Sequence, residues 1–286
     1  YKNMGLLDSA LAMDRRALAM SMSVGDRTGM MYAYASIARV FEIQGNNDSA
    51  LFYYERNGTI AEELGDRHTL GGSYGNRANV YERMGRIGPA IDLAYRCLAI
   101  FEELKSERSI AISLTTVASL KAELGEVEES LALLRRAHAL YTKVGYRQGM
   151  MTSGNSIGSN LLELGRTDSA LSWLERTLDL EREFDAKDIM ANTMNNLAKA
   201  YRNEGRGPGA IPLLNEALTI ARSLKDAAAE ATSLALLGRI ALDQGATAQA
   251  LRSCRNGYTI ARTASLLDPL GLNCECLYLA HKARGD

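Results

Sequence analysis

Gly45-Asn46-Asn47-Asp48-Ser49-Ala50-Leu51 decides the reading of this chain, because it returns. Gly5 to Leu11 reads GLLDSAL, and Gly165 to Leu171 reads GRTDSAL. The register is stricter than the wording. Glycine stands at 5, 45, 85, 125, 165, 205, 245 and 285, a spacing of 40 residues without a slip. Only 25 of 286 residues are glycine, so eight in one phase are not accidental. A period of this length makes the chain an array of like units, each burying its apolar face on its neighbours.

The columns measured from these anchors are helical. The fifth residue on is small throughout (Ala10, Ala50, Ala90, Ser130, Ala170, Ala210, Ala250), and the sixth is Leu or Ile. Offsets of 5, 6, 9, 12 and 15–16 trace one face of a helix. Upstream of each glycine lies a second amphipathic segment. Eight residues before the anchor stand Ile37, Val117, Ile157, Leu197, Leu237 and Leu277, with Arg77 breaking the column. One residue later the column is small, as at Ala38, Ala78 and Gly158. Each unit is therefore expected to be helix A, a tight turn at the glycine, and helix B, with each helix about 24 Å long. Asp48-Ser49 and Asp168-Ser169 read as N-caps of helix B. Pro89 and Pro208 fall at helix starts, and Pro212 about one turn in. The expected layout is one array over 1–286. Its first part, 1–24, holds the end of a helix A plus a helix B. Helix pairs follow over 28–64, 68–104, 108–144, 148–184, 188–224 and 228–264, and 268–286 is a final, truncated helix A. Neither end carries a polar capping helix. The chain thus reads as a piece of a longer protein, with homo-oligomerisation through uncapped ends left open.

One unit supplies Tyr34, Ile37-Ala38, Phe41, Gly45, Ala50, Tyr54 and Asn57. Another supplies Met194, Leu197-Ala198, Tyr201, Gly205, Ala210, Leu214 and Ala217. As a set, these positions resemble the tetratricopeptide repeat (TPR). The resemblance implies an all-α, right-handed solenoid of antiparallel helix pairs, about seven repeats long. The 40-residue unit departs from the usual length of about 34 and lacks the proline that commonly closes it. In this it is similar to Pins/LGN-like scaffolds, bacterial regulatory TPR proteins and kinesin light chain.

Bulk properties exclude several classes. A net charge of −1 gives no basic field to collect nucleic acid. No apolar run approaches the roughly 18 residues that span a bilayer, and no signal peptide opens the chain, so a cytoplasmic location is expected. Cys97, Cys254, Cys274 and Cys276 read as unpaired small core residues in a reducing compartment. Cys274 and Cys276 would lie about 200° apart on a helix. His68, His138 and His281 are widely separated and lack triad or metal-ligand spacing. No nucleophile elbow, phosphate loop or zinc-protease motif is present. The expectation is a protein that is not an enzyme and carries no cofactor or metal. Gly71, Gly72 and Gly75 follow no strand, so they read as a helix with small residues facing something close.

Specificity is expected on the other face of helix A, which the resemblance places on the concave side of the superhelix. Positions 13, 10, 9, 6, 3 and 2 before each glycine form one stripe. It gives Gly72, Gly75, Asn76 and Asn79; then Thr115, Thr116 and Ser119; then Thr152, Asn155, Ser156 and Ser159; then Asn192, Asn195 and Asn196. Carboxamides donate and accept, so such a stripe suits the backbone of an extended peptide. The resemblance implies an asparagine ladder at the column of Asn76 and Asn196, interrupted by Ser36, Thr116, Ser156 and Leu236. Its loss through Asn195→Ala with Asn196→Ala is expected to weaken a ligand while leaving the fold intact. Arg39, Arg83, Lys199, Arg202 and Arg239 flank the stripe and could grip carboxylates. Glu42, Glu82, Glu123, Glu163 and Asp243 are near enough to neutralise them. Arg77 is expected either to snorkel to an edge or to pair with Glu82 or Glu102. The functional expectation is a module that binds a protein or peptide segment in its groove, with neither nucleic acid binding nor membrane insertion. The alternative is the sensory or regulatory region of a larger bacterial signalling protein, such as a histidine kinase, nucleotide cyclase or transcriptional regulator.

Overall fold

Seventeen-residue helices joined by three-residue turns are the building pattern, so each half of the 40-residue unit occupies 20 residues. The computed structural model describes residues 2–285, with side chains from residue 5. Fourteen α-helices and no strand occur among the described residues. They fall into two compact units, Tyr1–Tyr146 and Arg147–Asp286. The first holds α1 (Lys2–Val24), α2 (Arg27–Ile43), α3 (Asn47–Glu63), α4 (Arg67–Arg83), α5 (Ile87–Glu103), α6 (Glu107–Glu123) and α7 (Val127–Lys143). The second holds α8 (Arg147–Glu163), α9 (Thr167–Glu183), α10 (Lys187–Asn203), α11 (Ile211–Leu224), α12 (Ala227–Asp243), α13 (Thr247–Thr263) and α14 (Leu267–Arg284).

The turns explain the register. At the first anchor turn, Asn46 N–H donates to Phe41 C=O at 2.9 Å while Gly45 takes φ +74°. This closes the helix with a left-handed residue that glycine adopts without steric cost. The same conformation recurs every 20 residues from 25 to 285, at both kinds of turn. Lys105, Asp185, Lys225 and Ser265 adopt it where glycine is absent. Gly5 is the exception. The expected end of a helix A before it does not form, and α1 runs through it.

Two details of the helix starts differ from expectation. Asp48 and Ser49 do not cap α3. Asn46 does, accepting from Ser49 N–H at 3.2 Å. Asp26, Asp66 and Asp226 cap α2, α4 and α12 in the same way. In a three-residue turn the cap must directly follow the left-handed residue. Asp48 and Asp168 instead sit in first turns, where negative charge meets the helix dipole favourably. Pro212 has no N–H to give Pro208 C=O. Ile211 gives its own instead, so Gly207–Ala210 form a single 3-10 turn before α11.

Small columns let the helices meet closely. Ala38, Ala50, Tyr54 and Val80 form one buried cluster, and Ala198, Ala210, Leu214 and Ile240 form another. At Gly158 any side chain would collide with Leu174, since an added Cβ would lie 2.4 Å from it. Within each unit the A helices also touch one another: α4 meets α6 in the first unit, and α8, α10, α12 and α14 meet in succession in the second. Their outward faces are therefore side by side, which is what a shared binding surface needs.

Stacking also corrects two readings. Cys254 on α13 and Cys276 on α14 form a disulfide, with Cα atoms 5.9 Å apart, so the four cysteines are not all unpaired. Gly238 of α12 leaves the space for both sulfurs. The pair is 22 residues apart in sequence and meets only because consecutive helices pack. Cys97 and Cys274 are free. Arg77 is only partly buried and reaches Glu55 on α3 at 3.7 Å, rather than Glu82 or Glu102. It leans out of its apolar column toward the preceding helix B.

Candidate functional site

In the first unit, α4 and α6 bring Gly72, Gly75, Asn76, Asn79 and Thr116 of the expected stripe around a pocket of about 190 Å³. Its floor comes from α5, through Ala94, Cys97 and Phe101. Cys97 Sγ lies 3.2 Å from Ser113 Oγ, and burial pushes its thiol up. Asn76 and Asn79 are half-buried at the rim, and their side-chain amides bond to no other described side chain or backbone group. The Thr116 hydroxyl donates to Ile112 C=O of its own helix at 3.4 Å. The floor residues belong to helix B, so a reading confined to the helix A face does not find them. The available signal was the pair of glycines, Gly72 and Gly75, in one repeat.

The flanking groups of this unit are largely engaged. Ser119 donates to Glu82 at 2.8 Å. Arg83 donates to Glu42 Oε1 at 2.9 Å, and Glu42 Oε2 accepts from the buried Tyr54 hydroxyl at 2.5 Å. Burial, followed by the Glu42 hydrogen bond and charge, pushes the Tyr54 phenol up. Arg39 is exposed and has no ion pair among the described residues.

In the second unit, Asn196 Nδ2 donates to Asn155 Oδ1 at 2.9 Å, linking α10 to α8. Ser156 and Ser159 are half-buried beside them, while Asn192 and Lys199 are exposed. Asn195 is different. It is 4% exposed, donates to Ala229 C=O at 3.2 Å and accepts from Ser233 at 2.7 Å. Its carboxamide points toward α12 and ties two helices together, so the expectation that the Asn195/Asn196 double substitution spares the fold is corrected. One residue on, Asn196 is rotated by about 100° along the helix and faces α8. Arg202 holds Asp243 through two bonds, at 2.6 and 3.1 Å, and Arg239 holds Glu275 at 2.8 Å. Of the expected cations in this unit, Lys199 has no ion pair among the described residues. Asn196, Lys199, Arg202, Leu236 and Arg239 border a pocket of about 370 Å³.

No cluster of three or more potential metal-ligating side chains occurs among the described residues. No described helix is long and apolar enough to cross a membrane. The geometry offers hydrogen-bonding carboxamides, an apolar hollow and, in Arg39 and Lys199, two cations without ion pairs among the described residues.

Comparison with known proteins agrees with this geometry. No curated protein matches the chain in sequence. Among solved structures, BtubC (BKLC) from P. vanneervenii is similar with a TM-score of 0.67 at 20% identity, covering 77% of this chain and 92% of its own. The apo form of RapI gives 0.68 at 16% identity, covering 90% and 98%. A Rap protein complexed with competence and sporulation factor gives 0.65 at 13%, covering 98% and 87%. At these identities the likeness is one of fold. The tetratricopeptide repeat model matches residues 109–183 and 189–262, just over half of the sequence. The chain belongs to the tetratricopeptide repeat family.

Proposed function

We propose that this protein is a non-enzymatic interaction module that holds an extended segment of a partner protein on its helix A faces. The observation that carries the reading is the state of Asn76 and Asn79. Each side-chain amide can make several hydrogen bonds, and both stand at a pocket rim without a partner in the described protein. Side chains serving only the fold are engaged, as Asn195 is. The Asn155–Asn196 link offers a second polar platform in the other unit. Arg39 and Lys199, neither of them ion-paired among the described residues, favour a segment with some acidic character. The fold likeness to a Rap protein complexed with competence and sporulation factor supports the use of such repeats to capture a partner. That residues 1–286 act as one array is part of this proposal and rests on the unbroken register.

Selection of displayed random peptides on the immobilised protein tests the reading. Enriched peptides are expected to bind at least about tenfold more weakly to Asn76→Ala/Asn79→Ala, the scale of one or two lost hydrogen bonds. The exposed helix B substitution Arg96→Ala should leave them unaffected. Equal binding by the asparagine variant, or loss caused by Arg96→Ala, would overturn it.

A further inference from the structure

We infer that the first-unit pocket is a specificity pocket for one large apolar side chain, of leucine or phenylalanine size, on the bound segment; this rests on the peptide-holding reading above. The starting point is Gly72. Glycine in a helix interior weakens the helix relative to alanine, so it needs a reason. Gly71 has one, because an added Cβ would lie 3.0 Å from Ile100 and 3.1 Å from Phe101. Gly75 has one too, with Cys97 Sγ at 3.2 Å. An added Cβ at Gly72 meets nothing within 4 Å. Packing therefore does not require this glycine, and its effect is to leave the hollow open. The equivalent position is Tyr32, Ile112, Thr152, Asn192, Thr232 and Leu272 in the other repeats, and neither it nor the position three residues on is glycine in any of them.

Size and lining select the occupant. A cavity of about 150 Å³ accommodates benzene, so about 190 Å³ suits one phenyl or isobutyl group. Ligand pockets for whole small molecules run to roughly 300–1,000 Å³. The floor is apolar, with Ala94, Cys97 and Phe101 all buried, and burial keeps the Cys97 thiol protonated at neutral pH. Among the described residues no charged side chain lines the pocket, so a charged occupant would lose its water without gaining a partner. Asn76 and Asn79 stand at the rim, where the backbone on either side of the inserted side chain would pass.

Gly72→Leu in the full chain tests the inference, because leucine fills the hollow from within and favours helix. Peptides enriched on the wild-type protein are expected to share a Phe, Leu or Met at one position. Alanine at that position should weaken binding at least tenfold. Gly72→Leu should weaken the same peptides at least tenfold without lowering the thermal midpoint. Peptides that bind Asn76- and Asn79-dependently but share no apolar position, or that bind Gly72→Leu undiminished, would overturn the pocket and leave the peptide-holding reading standing. Failure of the wild-type protein to enrich any peptide would overturn both.

Discussion

Glu181→Gln should abolish a specific pH dependence of stability. Glu181 lies on α9 in a column otherwise held by Ser21, Ala61, Phe101, Tyr141, Ala221 and Ala261, and it is fully buried. Its Oε1 accepts from the Thr193 hydroxyl at 2.7 Å, and its Oε2 has no hydrogen-bond partner. Burial pushes its acid group up from an ordinary 4.5 to about 7; the Thr193 bond opposes this, and the nearby Asp188 charge adds to it. The sign follows from proton counting. Between pH 4.5 and 7 the folded chain holds a proton that the unfolded chain has released, so raising the pH favours unfolding. Stability contributed by the neutral acid is fully present below pH 4.5. It falls as pH rises to about 7 and is level above that. A shift of this size corresponds to about 3 kcal/mol. Glutamine keeps the shape and cannot ionise. Urea unfolding followed by far-ultraviolet circular dichroism at pH 5 and pH 8 reads the effect. The variant should match the wild type within about 1 kcal/mol at pH 5 and exceed it by about 2–3 kcal/mol at pH 8. An equal difference at both pH values, or a less stable variant at pH 8, would refute the assignment of a neutral buried acid.

Two pairs of substitutions follow, one at the turns and one at neighbouring amides. Ser265→Gly, at φ +56°, should raise stability by up to about 1 kcal/mol, because the left-handed conformation is strained for residues with a Cβ. Gly45→Ala should lower stability by a similar amount, both read as shifts in the urea midpoint. Asn195→Ala should cost about 1–3 kcal/mol, since it leaves the Ala229 carbonyl and Ser233 short of a partner. Asn196→Ala should cost well under 1 kcal/mol, since its bond to Asn155 is only partly buried.

The fold was legible because the chain states it seven times. A single small residue such as Ala50 says little, but the same size at every fifth position after the anchor specifies a helix contact. The turns between repeats were half legible. Gly25, Gly65 and Gly145 mark them, whereas Lys105, Asp185, Lys225 and Ser265 adopt the same backbone with side chains that do not announce it. The candidate surface was legible as a stripe but not as a set of free groups. Asn195 and Asn196 are neighbours of identical chemistry, and only the helix packing separates a tie between helices from a surface amide. The cations were visible, while the partners that occupy Arg83, Arg202 and Arg239 depend on contacts about 36–41 residues apart. Glu181 breaks its column as plainly as Arg77 does, yet their fates differ. Arg77 is long enough to reach Glu55 at an edge, and the short Glu181 side chain is sealed against α10. The Cys254–Cys276 pair joins helices whose contact no local pattern encodes.

Amide hydrogen exchange of the protein with and without a peptide enriched by display tests the central claim most directly. Added protection is predicted on α4 and α6 around Asn76, Asn79 and Thr116, and on α8 and α10 around Asn155 and Asn196, with the helix B surface of α9 unchanged. Protection confined to helix B surfaces, with the helix A faces unaltered, would contradict it.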